Sequence, residues 1–165
     1  MNKQKFVGVK QRPAEGGQTV ASDYQDENKL IKNPDGPPLT TMYWRVLPES
    51  LYWGPKFLYE RYKLPIVVTE NGMANCDWIH RDGKVHDVQR IDFIARYLSE
   101  YKRAIHDGVD ARGYFIWSIT DNFEWAHGYK QRFGIIFVDY ATGERIPKDS
   151  AYWYKEVISS NGNML

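Results

Sequence analysis

LPIVVTENG, residues 64–72, is an apolar run rich in β-branched residues that turns polar at its last positions. A strand buried on both faces of a parallel sheet reads this way. In βα architectures the groups that do chemistry stand at such strand ends, where the following loops form a cleft. Thr69, Glu70 and Asn71 are therefore the first candidates.

Outward from this strand, the pattern alternates. On the N-terminal side, PESLYWGPKFLYERYK (48–63) reads as helical, with a break expected at Gly54 and Pro55 opening a second piece. On the C-terminal side, a polar loop (73–86) leads to Asp87, placed to cap a helix. Ile91, Ile94, Leu98, Tyr101 and Ile105 follow at spacings of 3, 4, 3 and 4, one face of an amphipathic helix that Gly108 can end. RGYFIWS (112–118) reads as a second buried strand. Residues 119–146 form a long loop with a hairpin around RFGIIFVDYATGERI, and SAYWYKEVISS (150–160) closes as a helix with Trp153 and Val157 four apart. At the other end, KFVGVK (5–10) reads as a short strand, and residues 13–39 as a long Gly- and Pro-rich loop. The order strand–helix, three times over, predicts an α/β fold with parallel strands joined by crossovers, organised as one unit over residues 1–165.

Composition narrows the function. With 22 basic and 21 acidic residues the net charge is +1, which offers nucleic acid or an anionic membrane no electrostatic attraction. No apolar run reaches the length of a membrane span. A single cysteine, Cys76, forms no intrachain disulfide, and with no apolar leader at the start this predicts a cytoplasmic protein. The four histidines, His80, His86, His106 and His127, lack metal-ligand spacing, and no phosphate-binding glycine loop is present. Neither a metal nor a cofactor is expected.

Two positions carry chemistry. A carboxylate at a strand end, Glu70, suits a nucleophile, a general base or a ligand for a hydroxyl, but equally an ordinary ion pair. WSITDNFEWAHGYKQRF (117–133) sets Asp121 and Glu124 among Trp117, Trp125, Tyr129 and Phe133. Carboxylates accept hydrogen bonds from sugar hydroxyls, and indoles cover the apolar face of a pyranose. The competing reading is a packed aromatic loop with Asp121 as a cap.

These residues resemble a known family. LPIVVTENGMA (64–74) looks like the nucleophile signature of glycoside hydrolase family 1, and GYFIWSITDNFEWAHGYKQRFGIIFVDY (113–140) like its C-terminal sugar-binding signature. PESLYWGPKFLYERYKLP and DGKVHDVQRIDFIARYL are also similar, so the likeness covers most of residues 37–159. It implies a (β/α)8 barrel, here only its last three βα units, and hydrolysis of β-glycosides with retention. It implies Glu70 as the nucleophile that forms a glycosyl-enzyme and Trp117 as the platform under the sugar. Glu124 and Trp125 would bind hydroxyls of the nonreducing-end sugar, with Phe133 as a wall. Branches that take 6-phosphoglycosides usually carry Ser where Glu124 stands. A carboxylate would repel a phosphate, so a neutral β-glycoside such as a glucoside or galactoside is expected.

The sequence also departs from the family. A retaining enzyme uses two carboxyl groups about 5–5.5 Å apart, and the acid/base motif N-E-P is absent here. GVKQRPAEGG (8–17) carries Lys10 and Arg12 where relatives have Asn and, nearby, Tyr. A complete barrel takes roughly 250 residues, so 165 leave sheet edges open. Completion by a portion supplying the missing units, or by a second copy, is the expected remedy. The alternative to an enzyme is a non-catalytic sugar-binding or oligomeric remnant.

Overall fold

The computed structural model describes residues 36–165. The strand expected at 5–10, most of the loop 13–39, and Lys10 and Arg12 lie outside the described residues.

Strand β1 spans Ile66–Asn71 and pairs in parallel with β2, Ala111–Ile116. Helix α2, Val88–His106, connects them, so the expected βαβ unit is present. Its buried face is Arg90, Phe93, Ile94, Tyr97, Leu98, Tyr101 and Ala104. Ile94, Leu98 and Tyr101 stand where the spacing put them, whereas Ile105 is exposed, at the edge of the stripe. Gly108, at φ 91°, ends the helix in a conformation that a Cβ disfavours, and its N–H bonds to the Ile105 carbonyl.

Phe93, Ile94, Tyr97 and Leu98 meet Met73, Ile116, Ile135 and Val157 in the main core cluster, with Tyr114 and Trp153 against it. Each such apolar side chain contributes about 1.5–3 kcal/mol on burial. Tyr101 also donates its hydroxyl to the Gly113 carbonyl, tying helix to sheet.

Helix α1, Ser50–Tyr62, runs unbroken through Gly54 and Pro55, contrary to the expected break. The chain already turns at 47–50, where Ser50 and Leu51 donate to the carbonyls of Leu47 and Pro48. Pro55 therefore enters a helix already begun, and its missing N–H removes one backbone bond. Its ring is buried. α1 docks on α2 through Tyr52, whose hydroxyl donates to Asp107 Oδ2 at 2.7 Å and whose ring lies 3.7 Å from the Arg103 guanidinium.

Strands β3, Ile136–Val138, and β4, Arg145–Pro147, form the expected antiparallel hairpin, followed by α3, Asp149–Ser159. Before the hairpin, 118–121 runs beside 133–136: Ser118 N–H meets the Phe133 carbonyl, Ile135 N–H the Ser118 carbonyl, and Asp121 N–H the Ile136 carbonyl. Residues 122–132 thus loop out from a paired base.

Asp87 sits at the N-cap position, just before Val88 opens α2, but its carboxylate does not cap the helix. It accepts from Arg90, from the Ser150 N–H at 2.9 Å and from Ser150 Oγ at 2.5 Å. The cap expectation is corrected: the aspartate binds α3 to α2.

Candidate active site

β1 and β2 do not run in even register. Val68 pairs with Tyr114 and Asn71 with Ile116, so three steps on β1 oppose two on β2. The extra residue falls at Thr69–Glu70, and both are exposed in succession, breaking the inside–outside alternation. Such irregularities re-aim a side chain. Here Glu70 turns into a hollow beyond the strand ends.

Tight contacts fix those ends. Trp117 N–H donates to the Asn71 carbonyl at 2.9 Å. Tyr114 donates its hydroxyl to Asn71 Oδ1 at 2.8 Å, and burial pushes that phenol far above the usual tyrosine range. Gly72 runs directly against the Trp117 backbone.

The hollow has a volume of about 530 Å³. Glu70, Trp117, Glu124, Trp125 and Phe133, the five residues singled out above, all line it. Trp117 packs on the small cluster of Met42, Ala74 and Phe133. Phe133 is 2% exposed, so it serves mainly as buried backing. Trp125 is 81% exposed and opens a one-turn 3-10 helix, Trp125–His127. Glu124 N–H donates to the Gly128 carbonyl at 2.7 Å, which closes that turn. Glu124 Oε2 is buried and accepts no hydrogen bond among the described residues. Buried acceptors are rarely left so, which marks this oxygen as one that awaits a donor.

Sequence reasoning missed one wall. Thr40, Trp44 and Arg45 also line the hollow, from the segment before α1. The Trp44 ring centroid is 5.9 Å from that of Phe133, and Thr40 Oγ1 accepts from the N–H groups of Met42 and Trp44. Nothing in the spacing of TTMYWR reports that contact. Tyr97 lines the hollow as well and accepts from the Leu47 N–H.

Asp121, read as a cap or a sugar ligand, is neither. Its carboxylate is buried and accepts from Lys148 Nζ at 2.9 Å, Arg132 Nη1 at 2.5 Å and the Gly134 N–H at 3.0 Å. Lys148 also donates to Asp77 at 2.6 Å, and Arg90 joins Asp77 to Asp87. Three carboxylates and three cations balance within this network. Desolvation holds the Lys148 ammonium below the usual lysine range, followed by the nearby Arg90 charge, while Asp77 and Asp121 oppose both.

A second groove, of about 570 Å³, lies between residues 38–48 and the start of α2. Its charged lining residues are Asp92 and Arg96, with no pair of carboxylates. The described residues contain no group of three or more His, Cys, Asp or Glu able to hold a metal ion, and no helix long and apolar enough to cross a membrane.

With this geometry in view, the model of glycosyl hydrolase family 1 matches residues 3–163. The chain belongs to glycosyl hydrolase family 1. It is 44% identical over 154 residues to beta-glucosidase A of Thermotoga maritima, covering 87% of this chain and 34% of that relative. It is 51% identical over 126 residues to the 1,4-beta-D-glucan glucohydrolase of Thermotoga neapolitana, covering 76% and 28%. Among solved structures, the Thermotoga maritima beta-glucosidase in complex with deoxynojirimycin superposes with a TM-score of 0.75 at 48% identity, covering 76% of this chain and 29% of that one. The chain thus spans about a third of the length of the family members it matches. The family assignment expected from the two signatures is borne out, and so is the α/β class with a parallel sheet.

Proposed function

We propose that the chain is the C-terminal portion of a retaining β-glycosidase, contributing the last three βα units of a (β/α)8 barrel. Glu70 is the nucleophile, Trp117 the platform for the sugar ring, and Glu124 with Trp125 the pair that receives its hydroxyls, with Phe133 behind them. The single observation that supports this most is the buried, unpartnered Glu124 Oε2 in the hollow that Glu70 also lines. A sugar hydroxyl supplies the donor that this oxygen lacks, and a charge-assisted bond of that kind is short and strong.

The sheet supports the partial barrel. Val67, Gly113 and Phe115 share the face of β1 and β2 turned away from α2, since a Cβ built on Gly113 would touch both side chains. Val67 and Phe115 are exposed there. In a closed barrel such residues fill the interior. The face is covered when the remaining units, from a complementing portion or a second copy, close the sheet. The acid/base carboxylate comes from that same portion, because the chain carries no N-E-P motif. The substrate class is a neutral β-glycoside, with Glu124 excluding a 6-phosphate by repulsion. No cofactor or metal is required for this chemistry.

The test is intact-mass spectrometry after exposure to a 2-deoxy-2-fluoro glucoside with an activated leaving group, which needs little acid assistance. A stoichiometric adduct that maps to Glu70 and vanishes in Glu70→Gln supports the enzyme. Saturable sugar binding without an adduct favours the remnant that binds but does not turn over.

A further inference from the structure

The loop that carries Glu124 and Trp125 leaves its paired base at Asp121 and returns at Arg132. These two side chains are joined across the base, and the Arg132 guanidinium lies 3.9 Å from the Phe137 ring centroid. Asp121 simultaneously holds the N–H of Gly134, which follows Phe133, and the ammonium of Lys148. Lys148 continues to Asp77, in the loop that follows β1 and Glu70. One carboxylate therefore fixes both limbs of the Glu124 loop and connects it to the loop beyond the other strand. Gly134 confirms how tight this base is: an added Cβ would lie 2.1 Å from the Asp121 nitrogen.

We propose that Asp121 is a positioning residue for sugar recognition, acting through Glu124 and Phe133 without touching the ligand. A buried, balanced ion network has little tolerance for displacement, because any shift strips a charge of its partner. Packed side chains with locked partners are what hold a binding group in productive geometry. The sugar-site role of the hollow is taken from the reading above.

The experiment compares the 165-residue chain with Asp121→Asn by backbone amide hydrogen exchange and by calorimetric titration with deoxynojirimycin. Expected are at least tenfold faster exchange at Glu124, Gly128 and Gly134, unchanged rates at Ile94 and Leu98, and at least tenfold weaker binding. Val157→Ala, a core truncation, serves as the control, with a lowered melting temperature but parental exchange at 122–134 and affinity within twofold. Exchange at Glu124 and Gly134 within twofold of the parent overturns the proposal, as does uniform acceleration across α2. So does faster loop exchange with unaltered affinity, which leaves Asp121 a purely structural role. If the parent itself does not bind deoxynojirimycin, the sugar reading and the recognition role fall together, and the exchange rates then show whether the clamp on the loop stands alone. Should Asp121→Asn lose a cooperative melt, Arg132→Gln, at the more accessible end of the same pair, carries the same expectations.

Discussion

Gly72 and Trp117 approach so closely that a methyl group on the Gly72 Cα would lie 1.6 Å from the Trp117 carbonyl oxygen. That approach draws the ends of β1 and β2 together just beyond Glu70, and it permits the bond from Trp117 N–H to the Asn71 carbonyl. Because the obstructing atoms are backbone, they cannot move aside as a flexible side chain would. Gly72→Ala is expected to cost about 1–3 kcal/mol, the range for overpacking, and to weaken sugar binding along with stability. A thermal melt of the variant equal to that of the parent would contradict this contact.

Lys63 ends α1 at φ 53°, with its N–H bonded to the Tyr59 carbonyl. The left-handed conformation costs a residue bearing a Cβ about 1–2 kcal/mol, and glycine is the residue that usually ends helices there. Lys63→Gly is expected to stabilise the chain, by about 1 kcal/mol once the greater freedom of glycine in the unfolded chain is subtracted. Chemical denaturation would show it as a higher midpoint with an unchanged slope. Loss of stability would mean that the contact between Lys63 and the Tyr59 ring outweighs the strain.

His86 bridges two carboxylates, with Nδ1 at 2.6 Å from Asp149 and Nε2 at 3.0 Å from Asp82. The hydrogen bond to Asp149 first, then that to Asp82, raises the imidazole above its ordinary 6.5. Asp82 is lowered from 3.8 by the Lys84 N–H and then by His86. A raised histidine contributes stability that is fully present below its unfolded value and is lost as pH rises through the folded one. A lowered aspartate contributes stability that is lost as pH falls through its folded value. The clasp between loop 73–86 and the start of α3 is therefore tightest in the mildly acidic window between them. Melting temperatures recorded from pH 4 to 9 should fall on the alkaline side in the parent and less so in His86→Gln. Parallel curves for the two proteins would remove the clasp.

The β1–α2–β2 unit and the hairpin were legible because local periodicity carries them: β-branched runs, a 3–4 apolar stripe, a glycine after the last turn. The five candidate residues that share the hollow were singled out through their motifs. The network around Asp121 was not. Lys148 meets Asp77 across 71 positions and Ser150 meets Asp87 across 63. A charged residue in isolation reads as solvated surface, and only the fold reveals that Lys148 is wholly buried. Trp44 was missed for the same reason, since it reaches Phe133 only after α1, α2 and both strands are placed. Pro55 misled in the opposite direction: it was read as opening a second helical piece after a break at Gly54, but one helix, Ser50–Tyr62, runs through both.

Binding at Glu124 tests the account most directly. Titration calorimetry of deoxynojirimycin into the parent and into Glu124→Gln compares a carboxylate with an isosteric amide in the same hollow. Loss of a charge-assisted hydrogen bond is worth about 1.5–3 kcal/mol, so the account predicts binding by the parent and affinity lower by about 10- to 100-fold in the variant. Equal affinities, or no heat of binding in the parent, would contradict it.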